Sequence, residues 1–355
     1  MNKYRSRYQE TVKLKTLWIL FPALLIAASL EVGNSSYPET VENGVGVCIH
    51  LEDVDNETIP NLINLGVTWV RTDWMTNSND SRADFSQALH ENGINLLVII
   101  DINTFNYTIP DLEEWNKTFI EIVSSESFSY ADAVEIWNEP NAIAFVEAEV
   151  YYEMLKSACE IIKNYTKVPV VFAGVSPNVP DWKSYLTTVF AHNDVENYFD
   201  YMGIHLYDDM QKNQEHLQFV KSLTSKPIWL TETGKPTPPQ DDSRTEAGQA
   251  AYVHSVYDTF GSLVDKIFIY ELKDGWGASP PEENYFGLLT RDGAKKDAYS
   301  VVWNINRGEA GIKVGVYYYS WYNDDWNTFH SNCVDTPFLG KYSSANLSVI
   351  VQHLN

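Results

Sequence analysis

Two short apolar runs of this chain each close on a glutamate. The first reads Val134-Glu135-Ile136-Trp137-Asn138-Glu139-Pro140-Asn141, the second Ile228-Trp229-Leu230-Thr231-Glu232-Thr233-Gly234. Pro140 disfavours helical backbone at the residue before it, so Glu139 is expected to stand extended where its run stops. Two carboxyl groups facing one another across a sugar can break a glycosidic bond: one protonates the leaving oxygen, the other attacks the anomeric carbon. Direct attack needs carboxyls about 5–5.5 Å apart, whereas about 6.5–9.5 Å leaves room for an activated water. Arg71, a charge inside the run Trp69-Val70-Arg71-Thr72-Asp73-Trp74, is a further candidate, because charges are rarely buried without a partner. His205 is another, since an imidazole changes charge near neutral pH.

For the two glutamates to meet, the runs carrying them must stand across one mouth. Past Gly44, short runs rich in Val and Ile alternate with amphipathic stretches. The strand candidates span 44–51, 69–74, 95–101, 134–138, 169–175, 201–207, 227–233 and 266–271. Their nearly continuous apolar character fits parallel strands buried on both faces. Between the fourth and fifth, Tyr151, Met154, Leu155, Ala158, Ile161 and Ile162 form one helical stripe. Ala250, Val253, Tyr257 and Phe260 do the same between the seventh and eighth. Further helices are expected over 60–65, 81–92, 110–124, 182–191, 214–223 and 297–305. Eight strand-helix units over residues 44–307 predict an α/β fold of the (β/α)8, or TIM, barrel type. A doubly wound open sheet would carry a Gly-rich phosphate turn after an early strand, and His50-Leu51-Glu52-Asp53 has none. In the barrel, strands four and seven face each other, and active groups gather at the C-terminal strand ends.

The motifs resemble the clan of retaining (β/α)8 glycosidases with catalytic glutamates on strands four and seven, which includes cellulase-like and β-xylosidase-like families. Trp137-Asn138-Glu139-Pro140-Asn141 is similar to the acid/base motif, and Thr231-Glu232 to the nucleophile position. The resemblance implies Glu139 as acid/base, Glu232 as nucleophile, and Asn138 as a ligand of the substrate 2-hydroxyl. It further implies that Tyr207, in His205-Leu206-Tyr207, contacts the nucleophile, and that Arg71 keeps it ionised. Trp137 is counted with the substrate contacts. Relatives often carry a His after strand three, where this chain has Asp101 and Asn103. They often carry a Trp at the end of strand eight; here Tyr270 and Trp276 are the candidates for the sugar platform. The implied activity is retaining hydrolysis of an oligosaccharide or polysaccharide, with a non-catalytic carbohydrate-binding barrel or a transglycosylase as alternatives. The pattern offers no metal cluster, phosphate loop or Cys/His nucleophile, and no cofactor is expected.

A net charge of −23 sets the chain against nucleic acid as a partner. Lys3, Arg5, Arg7, Lys13 and Lys15 precede an uncharged run over 17–30, with small residues at Ala27-Ala28-Ser29. This is the pattern of a secretory signal, and the run is shorter than the roughly 20 residues of a spanning helix. Residues 1–30 are therefore expected to be a signal peptide or anchor, and 31–43 a linker. Seven N-x-S/T sequons, at Asn34, Asn56, Asn79, Asn106, Asn116, Asn164 and Asn346, agree with a secreted or cell-surface glycoprotein. Cys48, Cys159 and Cys333 are too scattered for a disulfide framework; they are expected to be structural thiols, or one pair bridges. Residues 313–355 break the βα rhythm and are expected to open a second, truncated domain. Their Tyr318-Tyr319-Ser320-Trp321-Tyr322, His330 and the stretch Pro337 to Ser344 resemble the first strand and loop of endo-α-mannosidase-type barrels.

Overall fold

The computed structural model describes residues 44–308, apart from 75–78, 143–144, 242, 276 and 278–279. The expected signal or anchor (1–30), linker (31–43), truncated domain (313–355) and Trp276 lie outside the described residues. Eight parallel strands close into a barrel in sequence order: β1 Gly46–Ile49, β2 Trp69–Asp73, β3 Asn95–Ile100, β4 Ala133–Ile136, β5 Val170–Val175, β6 Tyr201–His205, β7 Ile228–Thr233 and β8 Lys266–Ile269. The ring is closed by Gly46 pairing with Phe268 and Val47 with Ile269. Each strand is followed by a helix: α1 Thr58–Leu65, α2 Asn79–Glu91, α3 Leu112–Val123, α4 Ala148–Tyr165, α5 Trp182–Val189, α6 Met210–Leu223, α7 Glu246–Phe260 and α8 Asp297–Asn306.

The helices begin where their sequences cap them. Asp111, Asp209 and Thr245 accept the backbone N–H three residues on at 2.9, 3.0 and 3.1 Å, opening α3, α6 and α7. The end of α8 holds the ring shut. Asn306, fully buried, accepts the Val45 N–H at 2.7 Å and donates to the carbonyls of Val45 and Leu65 at 3.1 and 3.2 Å.

Alternate residues on each strand point out to the helices or in to the barrel axis. Val47, Val70, Leu96, Val98, Val134, Ile136 and Phe172 face outward and join the helices in the main core. Cys48, Leu97, Ala133, Val171, Trp229 and Phe268 form a second, inner cluster, with Trp69 and Tyr201 packed on it. Trp229 stacks on Tyr201 at 4.4 Å between ring centroids and meets Trp69 edge-on at 5.1 Å. The interior is thus plugged by aromatics, and polar chemistry is confined to the opposite end. No helix among the described residues is long and apolar enough to cross a membrane. Cys48 and Cys159 are buried free thiols, so these two do not bridge; Cys333 lies outside the described residues.

Candidate active site

Inward alternation brings Arg71 from β2 and Glu135 from β4 into the barrel above the aromatic plug. The Arg71 guanidinium is buried and has three oxygen partners, with Cys48 Sγ a fourth, longer contact of Nη1 at 3.9 Å. Nε donates to Glu135 at 2.6 Å, Nη1 to Glu232 at 2.5 Å and Nη2 to Asn138 Oδ1 at 2.8 Å. The amide oxygen of Asn138 is therefore engaged, and what it presents to a ligand is its NH2. The Tyr207 hydroxyl donates to the other oxygen of Glu232 at 2.7 Å. His205, fully buried, places Nδ1 2.8 Å from Glu139 Oε1 and 3.4 Å from Glu232 Oε2. One oxygen of Glu139 and one of Glu232 lie within 4.8 Å of each other.

The two carboxyls have different surroundings. Burial pushes Glu232 up, but the charges of His205 and Arg71 and the hydrogen bonds from Tyr207 and Arg71 outweigh it. The net effect holds Glu232 below its ordinary value, in its ionised form. Burial lowers His205, yet Glu232 and Glu139 raise it further, so the imidazolium is favoured. The Glu139 side chain has 24% of its surface exposed against 10% for Glu232, so it is the more open to an incoming group. Glu139, His205 and Glu232 are the one group of donors among the described residues spaced to hold a metal ion. Both Glu232 oxygens, however, already face protein donors, and a cation there would sit against the Arg71 charge.

The backbone after β4 departs from expectation. Glu139 is not extended: its φ is +43°, and Trp137 has φ +74°. Pro140 excludes the right-handed helical region as expected, but the left-handed region wins because the Glu139 N–H donates to the Gly174 carbonyl at 3.0 Å and the Glu139 carbonyl accepts the Ala142 N–H at 2.9 Å. The same turn overturns Trp137 as a substrate contact. Strict alternation from Ala133 and Glu135 would aim it inward, but the left-handed backbone swings it out. Its fully buried ring packs against Phe105 and Trp115 at 6.4 and 6.0 Å, away from any sugar.

Gly174 on β5 joins both halves of the site. Its N–H donates to Glu135 Oε1 at 2.7 Å while its carbonyl takes the Glu139 N–H. A Cβ there would come within 2.1 Å of His205 Nε2 and 2.6 Å of Thr231 Oγ1, so only glycine leaves room for the imidazole.

Residues 106–271 match the family model for the glycosyl hydrolase catalytic core. Solved structures share the barrel. A family 39 glycoside hydrolase from the gut symbiont Bacteroides cellulosilyticus is similar with a TM-score of 0.59 at 19% identity, over 76% of this chain and 65% of that one. A glucosidase from Croceicoccus marinus gives 0.59 at 14% identity, over 76% and 67%. A family 128 endo-β-1,3-glucanase from Amycolatopsis mediterranei gives 0.50 at 16%, over 74% and 99%. At these identities the likeness is one of fold, and this chain spans less than two thirds of the family 39 enzyme's length. No curated protein matches the chain.

At the C-terminal mouth of the barrel, Glu139, Glu232, Asn138, Arg71, His205 and Tyr207 come together. Tyr270 joins its rim, edge-on to Tyr207 at 6.5 Å. Sequence reasoning missed Glu135, although a carboxylate between Val134 and Ile136 carries the same signal that singled out Arg71. It also missed a clasp on the β1, β2 and β8 side. His50 Nδ1 lies 3.1 Å from Asp73, and its Nε2 3.0 Å from the Tyr270 hydroxyl and 3.3 Å from Glu271. Burial works against the His50 charge, but Asp73 and Glu271 push its pKa up to about 10. Burial raises Glu271 to about 8 despite that imidazolium, and raises Asp101 to about 8 with Asp73 nearby.

Proposed function

We propose that the chain is a glycoside hydrolase that cleaves β-linked oligosaccharides or polysaccharides with retention. The observation carrying this reading is the Glu139–Glu232 pair, with oxygens within 4.8 Å, bridged by His205 and with one member held ionised by Arg71 and Tyr207. Oxygens this close support direct attack, which needs the carboxyls about 5–5.5 Å apart, over an inverting site with a water between them. Glu232 attacks the anomeric carbon as Glu139 gives its proton to the departing oxygen, forming a glycosyl ester on Glu232. Glu139 then takes a proton from water, which breaks the ester and restores both groups. In this reading the Asn138 amide donates to the sugar 2-hydroxyl and Tyr270 meets the ring; Trp276, the other platform candidate, lies outside the described residues.

Two variants test the roles. Glu232→Gln abolishes turnover of every substrate, whereas Glu139→Ala spares aryl glycosides whose leaving group needs no proton, and azide restores its rate as a β-glycosyl azide. Equal losses on activated substrates with no azide product would refute the assignment.

Export and glycosylation are part of the same reading. The basic segment and uncharged run over 17–30 support secretion or surface attachment, and Asn56, Asn106 and Asn164 are exposed sequon positions. Loss of mass on treatment with an endoglycosidase, in protein recovered outside the cell, checks both.

A further inference from the structure

We propose that Glu135 is a positioning residue for the nucleophile: its carboxylate fixes the Arg71 guanidinium so that one cation serves Glu232 and Asn138 together. The proposal rests on the roles proposed above for those two residues.

Glu135 is fully buried beneath the mouth and has no surface open to a sugar. Each of its oxygens has one donor: Oε2 takes Arg71 Nε at 2.6 Å and Oε1 takes the Gly174 N–H at 2.7 Å. The guanidinium is planar, so fixing its Nε edge fixes both terminal nitrogens at once. Those are the atoms on Glu232 at 2.5 Å and on Asn138 at 2.8 Å. The Gly174 N–H anchors the carboxylate to β5, so the clamp runs from β5 through Glu135 on β4 to Arg71 on β2 and on to Glu232 on β7. Without Glu135, Arg71 keeps only contacts of its terminal nitrogens, with Glu232, Asn138 and the Cys48 thiol, and its Nε edge is no longer held. Glu232 then loses the cation that favours its ionised form, and Asn138 loses the donor that turns its NH2 outward.

Glutamine at 135 keeps the shape but has a single acceptor oxygen for two converging donors, so one must face an NH2. Charged and titratable groups facing Glu232 besides Arg71 are Glu139 after β4, His205 and Tyr207 at the end of β6, Cys48 from β1, Tyr270 and Glu271 after β8, and Glu283. Glu135→Gln leaves all of these in place. In the full chain, the test is titration of the Glu232 carboxyl by carbon NMR, with and without Glu135→Gln. Loss of the Glu135 charge by itself would move Glu232 down, so an upward shift, within the roughly 1–3 pH units that a nearby opposite charge exerts on a carboxyl, is the expected mark of a displaced guanidinium. It comes with a matching upward move of the acid limb of kcat/KM and a kcat loss that good leaving groups do not relieve. An unmoved or lowered Glu232 titration would overturn the proposal and leave Glu135 a structural ion-pair partner. If Glu135→Gln fails to fold, Arg71→Met is compared with Arg71→Met/Glu135→Gln, in which both buried charges are gone. An equal or lower Glu232 titration in the double variant supports action through Arg71; a further upward shift there overturns it. Absence of any glycosidase activity in the native chain would sink the proposed function, yet the titration would still decide the role of Glu135.

Discussion

Three oxygen partners on one guanidinium make Arg71 the hardest residue of the site to replace. Lysine keeps the charge but offers a single point donor in place of a fork. Arg71→Lys is expected to lower kcat/KM on an aryl glycoside by about 100-fold or more, the usual effect of small misplacements at a reacting centre. Near-native kinetics would show that charge alone suffices. Tyr207 supplies a second check. Its hydroxyl donates to the ionised form of Glu232, so Tyr207→Phe weakens the forces holding that carboxyl down. The acid limb of kcat/KM should move to higher pH, and an unmoved limb would contradict the electrostatic picture. At this scale the sequence was legible where residue type and strand end coincide, as for Glu139, Glu232, Arg71, His205 and Tyr207. It was illegible at Trp137, because a motif does not reveal which way a left-handed backbone turns a side chain. The His50 clasp was hidden for another reason: His50, Asp73 and Glu271 are close in the barrel but far apart along the chain.

The elements were read more completely than the residues. All eight strands and their helices lie where hydrophobic periodicity put them, because runs buried on both faces carry an unbroken apolar signal. The ends were read too long. Strand β4 stops at Ile136, β6 at His205 and β8 at Ile269, so Glu139, Tyr207 and Tyr270 stand just beyond the hydrogen-bonded ladder, while Glu232 is still paired on it with His205. Apolar character continues past those points, and only backbone geometry marks the break. The register shifts on β5 and β7 are likewise invisible in composition, yet they lie beside Gly174 and Glu232. Gly174→Ala tests how tightly β5 is fitted. The added methyl would overlap His205 and Thr231, and overpacking of this kind costs roughly 1–3 kcal/mol. Thermal denaturation should show the loss, together with reduced activity as His205 is displaced. A native melting temperature would mean that β5 yields more easily than its contacts imply.

Across the whole molecule, the His50 clasp makes stability depend on pH. His50 and Glu271 are both raised in the folded state, so folding takes up protons and stability falls as pH rises. The His50 contribution is full below about 6.5, the value of a free histidine, and is lost as pH climbs through about 10. The melting temperature should therefore drop between pH 6.5 and 10, and less steeply in His50→Gln; identical slopes would remove His50 from the account. Barrel architecture was legible because eight units of regular length leave few alternatives, whereas long-range staples such as Asn306 on Val45 have no local signature. That staple has a topological consequence. With Val45 and Asn306 in direct hydrogen bond, residues 44 and 308 stand close enough for a short Gly/Ser connection to fuse them. New ends can then be opened at exposed Lys167, between α4 and β5 on the face away from the mouth. Such a circular permutant should retain the native pH-rate profile, because no strand neighbour changes when the order of the chain does.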